Sequence, residues 1–325
     1  MRACSYCLNA CWLRDTCPGH GRNPDPRPFS RVWEAQFVDR RQVRRNFARA
    51  ASSYDEAAVL QREIGKRMLE RLDYVRIEPQ RVLDLGCGTG ASLTALHERY
   101  PGALVIGADP CLPMLRVGQR QHSRLRWLLP FLRGNRSPLL AAEASALPLP
   151  AQSIGLLWSN LMLHWLDDPL PAFREANRLL EVGGLLMFST FGPDTLKELR
   201  ASFGDGYVHT QRFTDMHDYG DMLVECGFTD PVMDAEVLTM TYARLDDLLA
   251  DLRRSGSACA MQARRRGLTG RSTWAATRAA YAQCAREGRL PATYEVVYGH
   301  AWRSQPRKMA DGRTIVRFDP HQRLR

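Results

Sequence analysis

Short aliphatic runs alternate along the chain with longer segments in which apolar residues recur at helical spacing. The short runs predict seven strands, at 81–85, 103–108, 139–142, 153–159, 185–190, 236–242 and 293–302. The longer segments predict helices at 37–72 (with a break at Ser52 and Ser53), 91–99, 171–180, 219–226, 245–254 and 274–286, and one more that begins at Leu112. The apolar segment 125–135, flanked by arginines, predicts an inserted helix or loop. This alternation indicates an α/β protein with one doubly wound sheet, whose ligands bind beyond the carboxyl ends of the strands.

The two ends of the chain differ in composition from its middle. Residues 1–36 predict a cysteine-rich, disordered extension, 37–303 the folded domain with a lid or docking insert at about 245–290, and 304–325 a tail. Four cysteines and a histidine near the N-terminus suffice in number for a tetrahedral zinc site: Cys4, Cys7, Cys11, Cys17 and His20. Their spacing is irregular, and the segment 21–30 that follows is rich in Pro, Arg and Asn, so we favour disorder and expect no metal. A misassigned start of translation is a further explanation.

The chain carries a formal net charge of +10, and arginine supplies almost all of the positive charge. Such a charge favours an acidic partner, either nucleic acid or an acidic carrier protein. Two arginine clusters are candidate docking faces, with solvated helix surface as the alternative: Arg40, Arg41, Arg44 and Arg45, and Arg264, Arg265 and Arg266. No stretch of apolar residues is long enough to span a membrane, and the apolar patch at 10–13 is too short for a signal peptide. We therefore expect a cytoplasmic monomer without membrane or nucleic-acid partners.

A glycine-rich turn follows the first predicted strand. Gly86, Gly88 and Gly90 are spaced G-x-G-x-G around Cys87, with Asp84 two residues before the first glycine. Dinucleotide-binding domains use G-x-G-x-x-G instead, and a carboxylate beside a pyrophosphate is unfavourable. Glycines let the backbone approach a ligand closely, and the carboxylate suits a ligand with an ammonium group. The turn therefore favours S-adenosylmethionine (SAM) over NAD.

Two further acidic positions follow at the expected separations. Asp109 ends the second predicted strand, where it can bind ribose hydroxyls or begin the next helix. Glu143 and Ala144 precede the segment 147–150, and this arrangement is typical of class I methyltransferases, in which it recognises the adenine amino group. The three elements together predict a class I, Rossmann-like methyltransferase fold.

Four longer segments carry a further signal: 47–61 (FARAASSYDEAAVLQ), 158–165 (WSNLMLHW), 188–200 (FSTFGPDTLKELR) and 291–298 (PATYEVVY). These segments resemble those of the BioC-type malonyl-[acyl-carrier protein] O-methyltransferases of biotin synthesis. The resemblance covers roughly residues 38–303. It implies a seven-stranded sheet whose last strand is antiparallel, SAM as the cofactor, and methylation of the free carboxylate of malonyl-[acyl-carrier protein] in the pimelate branch of biotin synthesis.

The resemblance also implies roles for single residues. Asn160 is expected at the cofactor, and Tyr54 is expected to close over the methionine end of the cofactor or over the substrate, with a packed helix tyrosine as the alternative. His164 is expected to orient the carboxylate unless it is a structural histidine. Arg200 is expected either to pair with the malonyl carboxylate or to stabilise a helix. The reaction needs no strong base, because a carboxylate is already ionised at pH 7.

Other functions stay open on the same fold. The related complex I assembly factor that hydroxylates an arginine shares several of these segments, although no histidine here begins the H-x-D/E pattern of a common iron site. A methyltransferase acting on nucleic acid or another small molecule is a second alternative, but the chain has no Pro-Pro after the fourth predicted strand. A non-catalytic SAM-binding protein is the third.

Overall fold

The computed structural model describes residues 37–128 and 137–304. The cysteine-rich segment with its zinc hypothesis, the end of the predicted insertion 125–135, and the tail from 305 lie outside the described residues. None of the described helices is both long and apolar enough to cross a membrane.

Ten helices and seven strands alternate along the described part of the chain. The helices are α1 (Arg40–Ala50), α2 (Tyr54–Ala57), α3 (Val59–Arg71), α4 (Ala91–Arg99), α5 (Leu112–Leu128), α6 (Leu170–Leu179), α7 (Lys197–Ser202), α8 (Met216–Glu225), α9 (Leu245–Arg254) and α10 (Arg271–Ala282). The strands are β1 (Arg81–Leu85), β2 (Leu104–Ala108), β3 (Leu139–Leu140), β4 (Ile154–Asn160), β5 (Leu180–Phe191), β6 (Thr229–Tyr242) and β7 (Leu290–Trp302). Short 3₁₀ turns follow α3 and β4.

The strands form one sheet in the order β3-β2-β1-β4-β5-β7-β6. The first five strands along the chain pair in parallel, whereas β7 is antiparallel to both β5 and β6. The order reverses between β1 and β4, and ligands bind at such a point in doubly wound sheets. The predicted seven-stranded α/β sheet with an antiparallel last strand is confirmed.

Both faces of the sheet are covered, which explains the nearly continuous apolar runs in the central strands. Side chains alternate between the faces: Val82 joins the core beneath α3 and α4, and the adjacent Leu83 joins the core beneath α6 and α8. The edge strand β6 is half-exposed, and its acidic residues pair with α3 through Arg67–Glu236 and Arg71–Asp234.

The predicted break in the N-terminal helix is confirmed. Ser53 ends the first helical segment, because its backbone N–H and its hydroxyl both reach the carbonyl of Ala50. The same hydroxyl also lies 3.0 Å from the carbonyl of Arg254 in α9. The insert between β6 and β7 therefore contacts the N-terminal helices.

Several predicted boundaries were wrong, and one helix was missed. β6 begins at Thr229 rather than 236. β5 begins at Leu180 rather than 185, because Gly183 and Gly184 exchange backbone hydrogen bonds with Arg303 instead of forming a free turn. α10 covers Arg271–Ala282 rather than 274–286. The six-residue α7 was not predicted, because it is too short to show a helical period.

Candidate active site

The glycine turn after β1 has the backbone conformation that only glycine adopts freely. Gly86, Gly88 and Gly90 have φ angles of 80°, 56° and 82°. A Cβ on Gly86 would lie 2.5 Å from Cγ of Met162, and a Cβ on Gly88 would lie 3.3 Å from Cε of Met114. A side chain at position 86 would therefore collide with Met162, and one at position 88 would be strained and would crowd Met114.

Hydrogen bonds hold this turn against β2. The N–H groups of Gly86 and Cys87 both donate to the carbonyl of Ala108, at 2.8 and 3.1 Å. The Cys87 side chain packs against Gly107 of β2, where an added Cβ would come within 2.9 Å of its Sγ. Burial raises the pKa of the Cys87 thiol well above its ordinary value, so the thiol is a packing group that does not ionise.

Asp84 is a buried carboxylate with an unsatisfied oxygen. Its side chain is 2% exposed, and Oδ2 has no hydrogen-bond partner. Burial, followed by the charge of Asp109, raises the pKa of Asp84 to about 8. An orphaned carboxylate at this position fits a cofactor that brings a positively charged group, since such a charge favours the ionised form.

Asp109 lies opposite the turn at the end of β2. Its Oδ2 accepts from the N–H of Gly88 at 3.0 Å, and its Oδ1 accepts from the N–H of Cys111 at 2.7 Å. Burial raises its pKa, while these two backbone bonds act in the opposite direction. A carboxylate has about four acceptor positions, so Asp109 fixes the turn before α5 and can still accept from ribose hydroxyls.

A cavity lies above the turn, and we call it the cofactor cavity. Its empty space, counted with the part that is open to solvent, is about 860 Å³. The predicted site residues in its wall are Tyr54, Gly86, Gly88, Asp109, Glu143, Ala144 and Asn160. Asp84, Cys87 and Gly90 shape the turn instead of lining the wall. The structure thus brings together the residues that the sequence assigns to SAM.

The N-terminal helices cover one side of the cofactor cavity. Phe47 of α1 contacts Trp165 edge-on, with 5.2 Å between ring centroids, and lies 6.3 Å from the ring of Tyr54. The hydroxyl of Thr89 in the glycine turn donates to Asp55 beside Tyr54 at 2.5 Å. Burial raises the pKa of Tyr54, so the phenol stays protonated and can serve as a donor.

Glu143 already has a protein partner. Its carboxylate forms an ion pair with Arg44 of α1, and both side chains are partly exposed. An adenine amino group would have to share Glu143 with this arginine or displace it. The pair connects α1 to the loop after β3 across the wall of the cavity.

A strained turn follows β4. Leu161 has a φ of 55°, which is unfavourable for a residue with a branched side chain. Its N–H donates to the carbonyl and the hydroxyl of Ser189, both at 3.0 Å. Asn160 is held between Ser189 and the carbonyl of Gln61. Contacts with β5 and α3 therefore stabilise this strained turn, and Met162 and Trp165, which follow it, line the cofactor cavity.

A second cavity of about 690 Å³, the inner chamber, adjoins the cofactor cavity at Trp165, which lines both. Aromatic and aliphatic side chains supply much of its wall: Leu60, Trp165, Phe191, Leu196, Phe213, Met240, Tyr242, Leu252 and Tyr294. It has one carboxylate, Asp251, which accepts from the hydroxyl of Tyr242 at 3.1 Å. Among the described residues, no lysine or arginine lines this chamber.

His164 lies in the wall of the inner chamber. It is 5% exposed, its Nδ1 lies 3.4 Å from the hydroxyl of Thr190, and the rings of Trp165 and Phe191 lie 5.0 Å away. Burial lowers the pKa of His164 to about 3. At neutral pH it is therefore an uncharged imidazole that can orient a ligand by a hydrogen bond but not by charge.

Arg200 does not reach the inner chamber. It is exposed on α7 and donates to the carbonyl of Pro193 at 2.6 Å. Together with Arg212 it lines a third, more open cavity, the outer opening, which shares Thr210, Gln211 and Phe213 with the inner chamber. The direct pairing of Arg200 with a substrate carboxylate stays a prediction.

The second arginine cluster is less available than the sequence indicates. Arg264 has a side chain that is 17% exposed and pairs with Asp39 at 3.1 Å. Arg265 pairs with Asp205 at 3.3 Å. Only Arg266 of the three is exposed. In the first cluster Arg40, Arg41 and Arg45 are exposed on α1.

The main residue that sequence reasoning missed is Gln211. It is 5% exposed and lies in the wall of both the inner chamber and the outer opening. It belongs to an irregular segment between α7 and α8 that has no motif or periodicity. A polar residue in such a segment gives no sequence signal that distinguishes it from an exposed loop residue.

Comparisons with known proteins identify the family. A methyltransferase domain model matches residues 83–188, from β1 to β5. The chain is 48% identical to the malonyl-[acyl-carrier protein] O-methyltransferase of Gallionella capsiferriformans over 86% of this chain and 96% of the relative. It is also 48% identical to the enzyme of that name from Laribacter hongkongensis, over 89% and 98% of the two chains.

The fold has relatives among solved structures at much lower identity. The crystal structure of the YcgJ protein of Bacillus subtilis is similar with a TM-score of 0.53 and 14% identity, over 75% of this chain and 99% of that one. This likeness concerns the fold alone. The glycine turn with its cofactor cavity, together with the matched methyltransferase domain, identifies a SAM-dependent methyltransferase. On the identities to the curated relatives, the chain belongs to the malonyl-[acyl-carrier protein] O-methyltransferase family.

Proposed function

We propose that this protein transfers the methyl group of SAM to the free carboxylate of malonyl-[acyl-carrier protein]. Relatives with that name are 45–48% identical over most of their length. The structural observation that carries the proposal is the contact between the two cavities at Trp165. One cavity has the residues for SAM, and the other offers a largely apolar space beside it for a short acyl group.

The character of the inner chamber suits carboxyl methylation. Bound SAM supplies a methyl group that is already activated, so the protein has to align the acceptor and exclude water. A wall without lysine or arginine does not hold the acceptor in a strong ion pair with either side chain. Such an ion pair would weaken as the carboxylate loses its charge to the new bond. Aromatic walls also exclude the water that would otherwise stabilise the free carboxylate.

The predicted substrate-positioning residues have distinct places in this scheme. Neutral His164 has two ring nitrogens, and with Nδ1 near Thr190 it can offer one hydrogen bond in the chamber. Tyr54 lines the cofactor cavity and stays protonated, which suits a donor at the cofactor. Neither residue needs to remove a proton, because the acceptor is ionised before it binds.

We place the entry of the carrier-bound substrate at the outer opening. The wall there carries Arg200 and Arg212, both exposed, and it continues into the inner chamber through Thr210 and Phe213. Acyl carrier proteins are acidic, so arginines at the rim favour their docking. The partly buried Arg264 stabilises the insert instead, because it joins the insert to Asp39 before α1.

The test is a turnover assay with three acceptors. Purified protein and SAM are incubated with malonyl-carrier, with acetyl-carrier, or with an arginine-containing subunit of respiratory complex I. S-adenosylhomocysteine is measured as the product of methyl transfer, and mass spectrometry of the subunit measures any hydroxylation of its arginines. Acetyl-carrier keeps the carrier and the thioester but lacks the free carboxylate. We expect turnover with malonyl-carrier only. Turnover with acetyl-carrier, or modification of the respiratory subunit with none on malonyl-carrier, would refute the proposal.

A further inference from the structure

Gln211 lies where the outer opening meets the inner chamber. Its side chain lines both cavities and is 5% exposed. The neighbouring Phe213 places its ring 5.8 Å from that of His164, and Phe213 lines both cavities as well. A substrate that enters through the outer opening would therefore pass Gln211 before it reaches His164.

The hydrogen bonds of Gln211 fix the orientation of its amide. The backbone N–H of Ala260 donates to Oε1 at 3.0 Å. Since an N–H group needs an acceptor, the oxygen must face Ala260 and the NH₂ group must face away from it. The Nε2 atom is buried and has no hydrogen-bond partner.

A buried donor without a partner is unfavourable, so such a group at a cavity wall points to a ligand that accepts from it. The wall of the inner chamber supplies no arginine or lysine for a carboxylate, and His164 there is uncharged. The only carboxylate of that wall, Asp251, repels an anionic ligand. The amide of Gln211 is thus a fixed, neutral donor without a partner at the wall of both cavities.

We propose that Gln211 binds the free carboxylate of the acyl substrate through its Nε2 group and so selects acceptors that carry this carboxylate. This inference rests on the proposed function and adds the residue that recognises the acceptor. A neutral donor holds the carboxylate without a full ion pair, and it can still donate to the carbonyl oxygen of the product ester. It therefore orients the acceptor without resisting the loss of charge during transfer.

Two variants test the role of Gln211. Gln211→Leu removes both the donor and the acceptor. Gln211→Glu keeps an oxygen for the N–H of Ala260 and replaces only the donor, so it serves if the leucine variant does not fold. We expect kcat/KM for malonyl-carrier to fall about 10- to 100-fold in Gln211→Leu and further in Gln211→Glu at neutral pH, because a hydrogen bond to a charged group is lost and a second carboxylate is added.

The glutamate variant has a pH dependence that a structural role would not produce. A glutamate at this buried position, beside the substrate anion, has a raised pKa and is protonated at lower pH. Its protonated form again offers a donor, so its kcat/KM relative to wild type should recover as the pH falls from about 8 towards 6. His164, His209 and Asp251 also line the chamber. Because they are the same in both proteins, the ratio of variant to wild type isolates residue 211.

Acetyl-carrier supplies the matched control, because it has the thioester carbonyl but no carboxylate. Its inhibition constant against malonyl-carrier should be the same in wild type and in both variants, and so should SAM affinity. The inference would be overturned if both variants turned over malonyl-carrier as fast as wild type does. It would also be overturned if the inhibition constant of acetyl-carrier rose together with the KM for malonyl-carrier, or if Gln211→Glu lost SAM affinity. Failure of the wild type to methylate malonyl-carrier would instead refute the proposed function.

Discussion

Replacing Asp84 by asparagine tests whether the buried carboxyl group before the glycine turn lowers the free energy of unfolding of the cofactor-free protein. Burial and the charge of Asp109 raise the pKa of Asp84 to about 8 from its ordinary 3.8. With the folded-state pKa above the unfolded value, the folded protein binds this proton more tightly. The contribution of Asp84 to stability is therefore complete below about pH 4 and is lost as the pH rises to about 8.

The magnitude follows from the pH interval. Each tenfold change in proton concentration is worth about 1.4 kcal/mol while only the folded state holds the proton. Between pH 5.5 and pH 8, the free energy of unfolding of cofactor-free wild type should fall by about 3 kcal/mol relative to Asp84→Asn, which has no titrating group at this position. This difference corresponds to roughly 5–10 °C in melting temperature for a domain of this size.

Urea and thermal unfolding of both proteins at the two pH values, with and without SAM, provide the assay. Without SAM, the free energy of unfolding of the variant should rise relative to that of wild type as the pH rises. With saturating SAM the ranking should reverse, because a ligand that binds only the folded state stabilises wild type, and the variant lacks the carboxylate that favours binding. A difference between the two proteins that is the same at pH 5.5 and pH 8 would refute the assignment of Asp84 as a carboxyl group kept protonated by burial.

Further expected outcomes concern the cofactor cavity, the insert and the docking charges. Gly88→Val should abolish SAM binding, because φ is 56° at this position and the side chain would enter the cofactor cavity. Asp109→Ala should weaken SAM binding by about 1–3 kcal/mol, because it removes a hydrogen-bond acceptor. Calorimetry measures both affinities. Arg264→Ala should lower the free energy of unfolding by about 1 kcal/mol because it breaks the partly buried pair with Asp39, and the exposed Arg266→Ala should leave it unchanged in urea unfolding. The kcat/KM for malonyl-carrier should decrease as salt screens docking charges over about 8 Å, while that for a small malonyl thioester should change much less; equal salt dependence would contradict docking by charge.

The glycine turn was predictable because the residues that form it are local in sequence. Asp84, Gly86, Gly88 and Gly90 are close in sequence, and the turn they form depends mainly on their own backbone preferences. Asp109 follows at the end of the next strand, and adjacent parallel strands place their ends side by side. The seven-stranded sheet with its antiparallel last strand thus agrees with the expectation from sequence.

The acceptor side was not predictable, because it is assembled from distant segments. The role proposed for Gln211 depends on Ala260, which fixes the orientation of its amide, and on the two cavities that its side chain lines. The partner of Arg264 is Asp39, 225 residues earlier in the chain, so a cluster that looked like a docking face is in part a structural ion pair. Hydrophobic periodicity carries no information about such pairings.

The most direct test of the central claim is the chemical identity of the product. Malonyl-carrier is incubated with SAM that carries a trideuterated methyl group, and the acyl group of the carrier is fragmented by tandem mass spectrometry, with Gly88→Val as the inactive control. We predict that one labelled methyl group appears on the malonyl moiety with wild type alone, and that the fragments lose it as labelled methanol, as expected for a carboxyl ester. A carrier that stays unlabelled with SAM-binding wild-type protein, or a labelled acyl group that still loses carbon dioxide from a free carboxylate, would contradict the account.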